Sequence, residues 1–173
     1  MRLFIAVPFS EEFRAVLLDW QTRLREDADL HAGAPRWTSP ENLHLTLAFI
    51  GEYGDPARVV RAMESVRFEP FSLRLGGSGH FGRLYWAGLA DGRAAVSLAE
   101  NVRRALTAEG ISYDEKPMKP HITAARELTL LGTIPPLGDA EMTADRFTLF
   151  RSERIRGKLT YTPLYTRTAE PAK

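Results

Sequence analysis

The chain has 173 residues, of which 44% are hydrophobic and 26% charged, with a net charge of +1. This excludes wholesale disorder, which needs low hydrophobicity and high net charge, and leaves no global pull toward nucleic acid. There is no cysteine, which excludes a disulfide framework, a thiolate metal site and a cysteine nucleophile and fits a cytoplasmic protein.

Residues 3–7 form a continuous apolar run and read as a buried strand. The run is too short for a signal peptide or a membrane span, so no membrane partner is expected. Ser10 reads as a helix N-cap with Glu11 and Glu12 behind it. Phe13, Val16, Leu17, Trp20 and Leu24 then recur at helical spacing, up to an end near Asp29. Arg36-Trp37-Thr38 predicts a short strand and Ser39-Pro40-Glu41-Asn42 a turn. Residues 43–50 follow as a strand that Gly51 stops. Strict alternation puts His44, Thr46 and Ala48 on one face and Leu43, Leu45, Leu47 and Phe49 on the other, which assigns Phe49 to the core. Asp55-Pro56 starts a second helix with Val59, Val60, Met63 and Val66 inward. Phe71, Leu73 and Leu75 alternate as a strand, which Gly76-Gly77-Ser78-Gly79 breaks into a flexible hairpin before a strand over 84–89. Leu98, Ala99, Val102, Ala105 and Leu106 mark a third helix, stopped by Gly110. A second histidine segment covers 121–126, and 131–138 is a loop. Residues 147–150 and 159–165 are closing strands, and 169–173 a frayed tail. Short links between paired strands favour antiparallel pairing, so the fold class is α+β.

One constellation carries chemistry. His44-Leu45-Thr46 and His121-Ile122-Thr123 are both His-x-Thr triplets on strand-like segments, 77 residues apart. Residues i and i+2 of a strand share a face, so each imidazole is paired with a hydroxyl. If the strands face one groove, two imidazoles and two hydroxyls converge, a set suited to acid–base work on a phosphodiester without a metal or cofactor. Either triplet alone says little. The pair looks like a weak internal repeat.

These triplets resemble those of the 2H phosphoesterase superfamily. Within it, the chain resembles the RNA 2′,3′-cyclic phosphodiesterases, also called 2′-5′ RNA ligases. The resemblance rests on Arg2-Leu3-Phe4-Ile5-Ala6, on Glu41-Asn42-Leu43-His44-Leu45-Thr46-Leu47-Ala48-Phe49 with Gly51, on Pro120-His121-Ile122-Thr123 with Ala125-Arg126, and on Tyr161-Thr162-Pro163-Leu164. It implies one domain over 1–173 with two lobes: two antiparallel sheets related by a pseudo-two-fold, helices on the outer faces and the active groove between. It implies hydrolysis of a 2′,3′-cyclic phosphate to a 2′-phosphate, with reversible 2′-5′ joining. By that analogy His44 donates a proton to the leaving ribose oxygen, His121 accepts one from water, and Thr46 and Thr123 hold phosphate oxygens. Spacing alone does not orient the pair. The short, glycine-rich segment from Gly76 to Arg83 departs from relatives that carry a longer loop there.

Arg126 is expected at the substrate, although five residues after His121 simple alternation sends it to the other face and a bulge is needed. Trp37, Tyr161 and Phe9 are further substrate-binding candidates, able to stack a base. Arg146, Arg151, Arg154, Arg156 and Lys158 form the densest basic stretch, read equally as an RNA track or a solvated strand–turn. His31 and His80 are read as solvated. A monomer acting on RNA ends is expected. The alternatives are a 2H enzyme for a small cyclic nucleotide or an ADP-ribose cyclic phosphate, and a non-catalytic RNA-binding module.

Overall fold

In the computed structural model, which describes residues 1–171, the opening apolar run becomes β1 (Arg2–Val7), followed by α1 (Glu11–Glu26), β2 (Arg36–Trp37), β3 (Leu45–Glu52) and α2 (Pro56–Glu64). The chain continues through β4 (Phe71–Phe81), β5 (Leu84–Leu89), α3 (Arg93–Ala108), β6 (Ile122–Arg126), β7 (Glu141–Ala144), β8 (Arg146–Ile155) and β9 (Lys158–Thr168). The strands make two antiparallel sheets, a four-stranded one ordered β3-β1-β8-β9 and a five-stranded one ordered β2-β6-β5-β4-β7. The α+β class and the two-lobed arrangement agree with expectation.

The helices begin where the caps predict. Ser10 Oγ accepts from the Phe13 N–H at 3.2 Å, and Asp55 Oδ1 accepts from the Arg58 N–H at 3.3 Å. The first helix stops at Asp27, short of Asp29, because Ala28 pairs with Leu130 and Asp29 caps a separate 3₁₀ turn. Periodicity identifies each helix's buried face but not its neighbour. The chain leaves β1 of the first sheet and lays α1 on β6 of the second. It leaves β5 of the second and lays α3 on β3 of the first. Each sheet's His-x-Thr strand is thus backed by a helix that follows a strand of the other sheet. Phe13, Leu17, Trp20 and Leu24 of α1 are at most 1% exposed, and each contributes about 1.5–3 kcal/mol by burial.

Several sequence expectations are corrected. The third strand starts after His44 and runs through Gly51, whose positive φ of 82° needs no side chain. The glycine-rich segment is not a hairpin. It is the outer half of β4, bulged between Leu75 and Ser78, and the turn falls at Gly82-Arg83. The reason is Trp86, whose indole lies across β4. A Cβ built on Gly79 would sit 2.6 Å from its Cζ2. Gly79→Ala is therefore expected to cost about 1–3 kcal/mol of overpacking, read as a lower urea midpoint. Strand β7 was not anticipated. In the supposed tail, the Ala169 and Glu170 N–H groups donate to Asp145 O and Phe68 O, so they continue the ordered chain. The tail's last two residues, Ala172 and Lys173, lie outside the described residues.

Candidate active site

Each His-x-Thr strand is interrupted just after its threonine. On β3, Ala6 of β1 faces Thr46 but Ile5 faces Ala48, so Leu47 is the extra residue of a bulge. On β6, Trp86 of β5 faces Thr123 but Tyr85 faces Ala125, so Ala124 is the extra residue. A bulge shifts side-chain parity by one. Leu47 with Ala48, and Ala124 with Ala125, are each consecutive buried residues. The residue three after each threonine then returns to the threonine's face.

That corrects one expectation and meets the condition set for another. Phe49 lines the groove with His44 instead of entering the core, and Arg126 lines the same groove with Thr123. The groove, about 1020 Å³, brings together His44, Thr46, His121, Thr123, Arg126, Trp37 and Tyr161. Phe9 does not join them. It is 6% exposed and packs on Phe13 at 4.8 Å, because the chain has already turned from β1 toward α1. Arg154 of the basic stretch reaches the groove, whereas Arg146, Arg151 and Lys158 pair with Asp145, Glu153 and Glu41. His31 and His80 are exposed, as expected.

The two histidines are held alike. Nδ1 of His44 lies 2.6 Å from Asn42 O, and Nδ1 of His121 lies 2.6 Å from Lys119 O. A carbonyl only accepts, so each Nδ1 carries the proton, and in the neutral ring each Nε2 is the lone-pair nitrogen. The Thr46 hydroxyl is 2.8 Å from His44 Nε2 and donates to it. His44 also lies 4.9 Å from the Phe4 ring and meets the Tyr161 ring edge-on at 5.3 Å.

This enclosure sets its charge. Burial pushes His44 down to about 4; its bond to the Asn42 carbonyl opposes the shift and the nearby His121 adds to it. The unfolded chain takes up a proton near pH ~6.5 and the folded one only near 4, so stability is full above 6.5 and is lost as pH falls to 4. About 3 kcal/mol follows from that interval. Urea titrations of wild type and His44→Gln should converge in this window; parallel pH dependences would sink the assignment.

The groove carries net positive charge. Arg2, Arg36, Lys116, Arg126 and Arg154 outnumber Glu52, Asp114 and Glu153. Among the described residues neither Arg2 nor Arg126 has an acidic partner within 4.0 Å. Tyr161 is pushed above its ordinary value by burial, against the pull of Arg126 and Arg2, so it keeps its hydroxyl proton. Among the described residues no three acidic or histidine side chains converge as a metal site.

Arg2, Phe4, Arg36, Thr38 and Asn42 are groove residues that sequence reasoning gave no functional role. Arg2 with Phe4, and Arg36 with Thr38, carry the i, i+2 signal of a shared strand face. No helix among the described residues is long and apolar enough to cross a membrane.

Comparison with known proteins agrees with this geometry. Residues 7–86 match the model of the LigT-like phosphoesterases. The RNA 2′,3′-cyclic phosphodiesterase of Escherichia coli K12 is 32% identical, over 94% of this chain and 93% of that protein. The chain belongs to the LigT-like phosphoesterase family. Its Thermus thermophilus member, also named RNA 2′,3′-cyclic phosphodiesterase, is 36% identical over 88% of this chain and 82% of its own. The crystal structure of E. coli LigT complexed with 3′-AMP superposes with a TM-score of 0.82 at 30% identity, covering 97% of this chain and 96% of that one. The LigT-like fold thus extends over nearly the whole chain.

Proposed function

We propose that this protein hydrolyses RNA 2′,3′-cyclic phosphate ends to 2′-phosphates, with His44 and His121 as the proton-transfer pair. The observation that carries the reading is the convergence of both His-x-Thr faces in one electropositive groove. Water attacks phosphorus and gives its proton to Nε2 of His121. The bond from phosphorus to the ribose O3′ breaks, and that oxygen takes the proton from Nε2 of His44. Thr46, Thr123 and Arg126 donate to the non-bridging oxygens. The products are a 2′-phosphate and a 3′-hydroxyl, and exchange with solvent returns the two rings to their starting protonation.

Trp37, with Arg25 4.7 Å from its ring centroid, and Tyr161 offer stacking surfaces to bases. A 5′-hydroxyl of a second RNA that takes the place of water, gives its proton to His121 and attacks phosphorus as the bond to O3′ breaks forms a 2′-5′ linkage, so reversible 2′-5′ joining is expected at the same site. The enzyme is read as a cytoplasmic monomer.

The deciding assay incubates the protein, with EDTA, with an RNA ending in a 2′,3′-cyclic phosphate and identifies the product isomer. A 2′-phosphate is expected. Intact RNA, or a 3′-phosphate, would overturn the reading.

A further inference from the structure

Both bulges are held from behind, and at the same carbonyl. Gln21 is the one polar side chain on the buried face of α1. Its Nε2 donates to Ala124 O and to Thr38 O, both at 2.9 Å. Arg103 of α3 donates through Nε to Leu47 O at 3.2 Å. Ala124 follows Thr123 as Leu47 follows Thr46, so a helix side chain takes the equivalent oxygen on each His-x-Thr strand.

A bulge disrupts the ladder at its extra residue, and a buried carbonyl without a donor is costly. Ala124 O accepts from the Thr38 N–H at 3.0 Å, and Gln21 adds a second donor there from the helix side, as Arg103 donates to Leu47 O. The Thr38 hydroxyl adds a peg on β6, donating to Thr123 O at 2.9 Å. Arg103 also donates to Lys116 O at 2.7 Å, in the segment that leads to His121.

We propose that Gln21 and Arg103 are positioning residues of the groove, each locking the bulge that turns Arg126 or Phe49 onto the face of its threonine. The inference takes its ligand from the phosphodiesterase reading. A side chain that merely joins helix to sheet lowers stability and leaves groove affinity independent of Arg126. A peg acts through the residue it aims.

Calorimetric binding of adenosine 2′-phosphate separates the two in double-mutant cycles. Gln21→Met weakens binding about tenfold beside Arg126 and less than about twofold in the Arg126→Ala background. Arg103→Met shows the same dependence on Phe49 when paired with Phe49→Ala. Equal losses in both backgrounds overturn the proposal. Should Gln21→Met not fold, Thr38→Val, which removes only the hydroxyl peg, carries the same expectation. Wild-type turnover is measured alongside. Coupling without hydrolysis of a cyclic phosphate sinks the phosphodiesterase reading alone, and hydrolysis with additive losses sinks the positioning role alone.

Discussion

Replacing His44 or His121 by alanine lowers kcat on cyclic-phosphate-ended RNA by about 10²–10⁴-fold, and replacing both costs little more than the worse single change. The second part is the sharper. One ring is useful only while the other handles the second proton, so the pair acts as a unit. The assignment of roles has an electrostatic condition. With His44 at about 4 in the free protein, roughly one molecule in a thousand carries the His44 proton at neutral pH. A proton donor there needs help, and the substrate supplies it. A phosphodiester anion against Nε2 favours imidazolium, and the low polarity that disfavours a lone charge strengthens that pair. In NMR titrations His44 should titrate near 4 when free and at least about one unit higher with a nucleoside 2′-phosphate bound. A midpoint that stays near 4 would exchange the roles, making His44 the base and His121 the acid. Additive losses in the double variant would remove both from a common step.

The features legible in the sequence are those that depend on neighbours along the chain. Ser10 and Asp55 announce their helices because a cap is a contact over three residues. The His-x-Thr pairs announce a shared face because strand alternation is local. What alternation cannot show is where it fails. Counting five residues from His44 assigns Phe49 to the core, but the bulge at Leu47 is set by pairing with Ile5 and Ala6 of β1, 42 and 41 residues earlier. The same failure at Ala124 delivers Arg126 to the groove. A trace did exist after Thr123, where two apolar residues, Ala124-Ala125, precede Arg126, whereas after Thr46 the apolar run continues through Phe49 and Ile50 and marks no bulge. Gly79 misled in the opposite direction. It marks the close approach of Trp86 and not a turn. Phe9 qualifies by sequence as an aromatic near a motif, and only the end of β1 decides that Phe4 lies against His44 while Phe9 packs on Phe13. The exchange of α1 and α3 between the sheets left no local trace.

Arg126→Ala raises KM for the cyclic-phosphate substrate about 10–100-fold with little change in kcat. A charged hydrogen bond to phosphate contributes about 1.5–3 kcal/mol, and it is made to ground state and transition state alike. Arg126→Lys recovers part of the affinity as a point charge without the bidentate fork. A matched fall in kcat would mean instead that the guanidinium engages only as the phosphorane-like geometry develops. Deleting Ala124 is the stricter test, because the arginine is retained. Without the extra residue β6 returns to strict alternation beside β5, and the guanidinium swings to the helix-covered face while His121 and Thr123 keep their positions. The KM of the deletion variant should match that of Arg126→Ala, although no functional side chain has been removed. Retention of wild-type KM would show that Arg126 reaches phosphate by length and flexibility alone. The bulge would then shape the strand without aiming the residue.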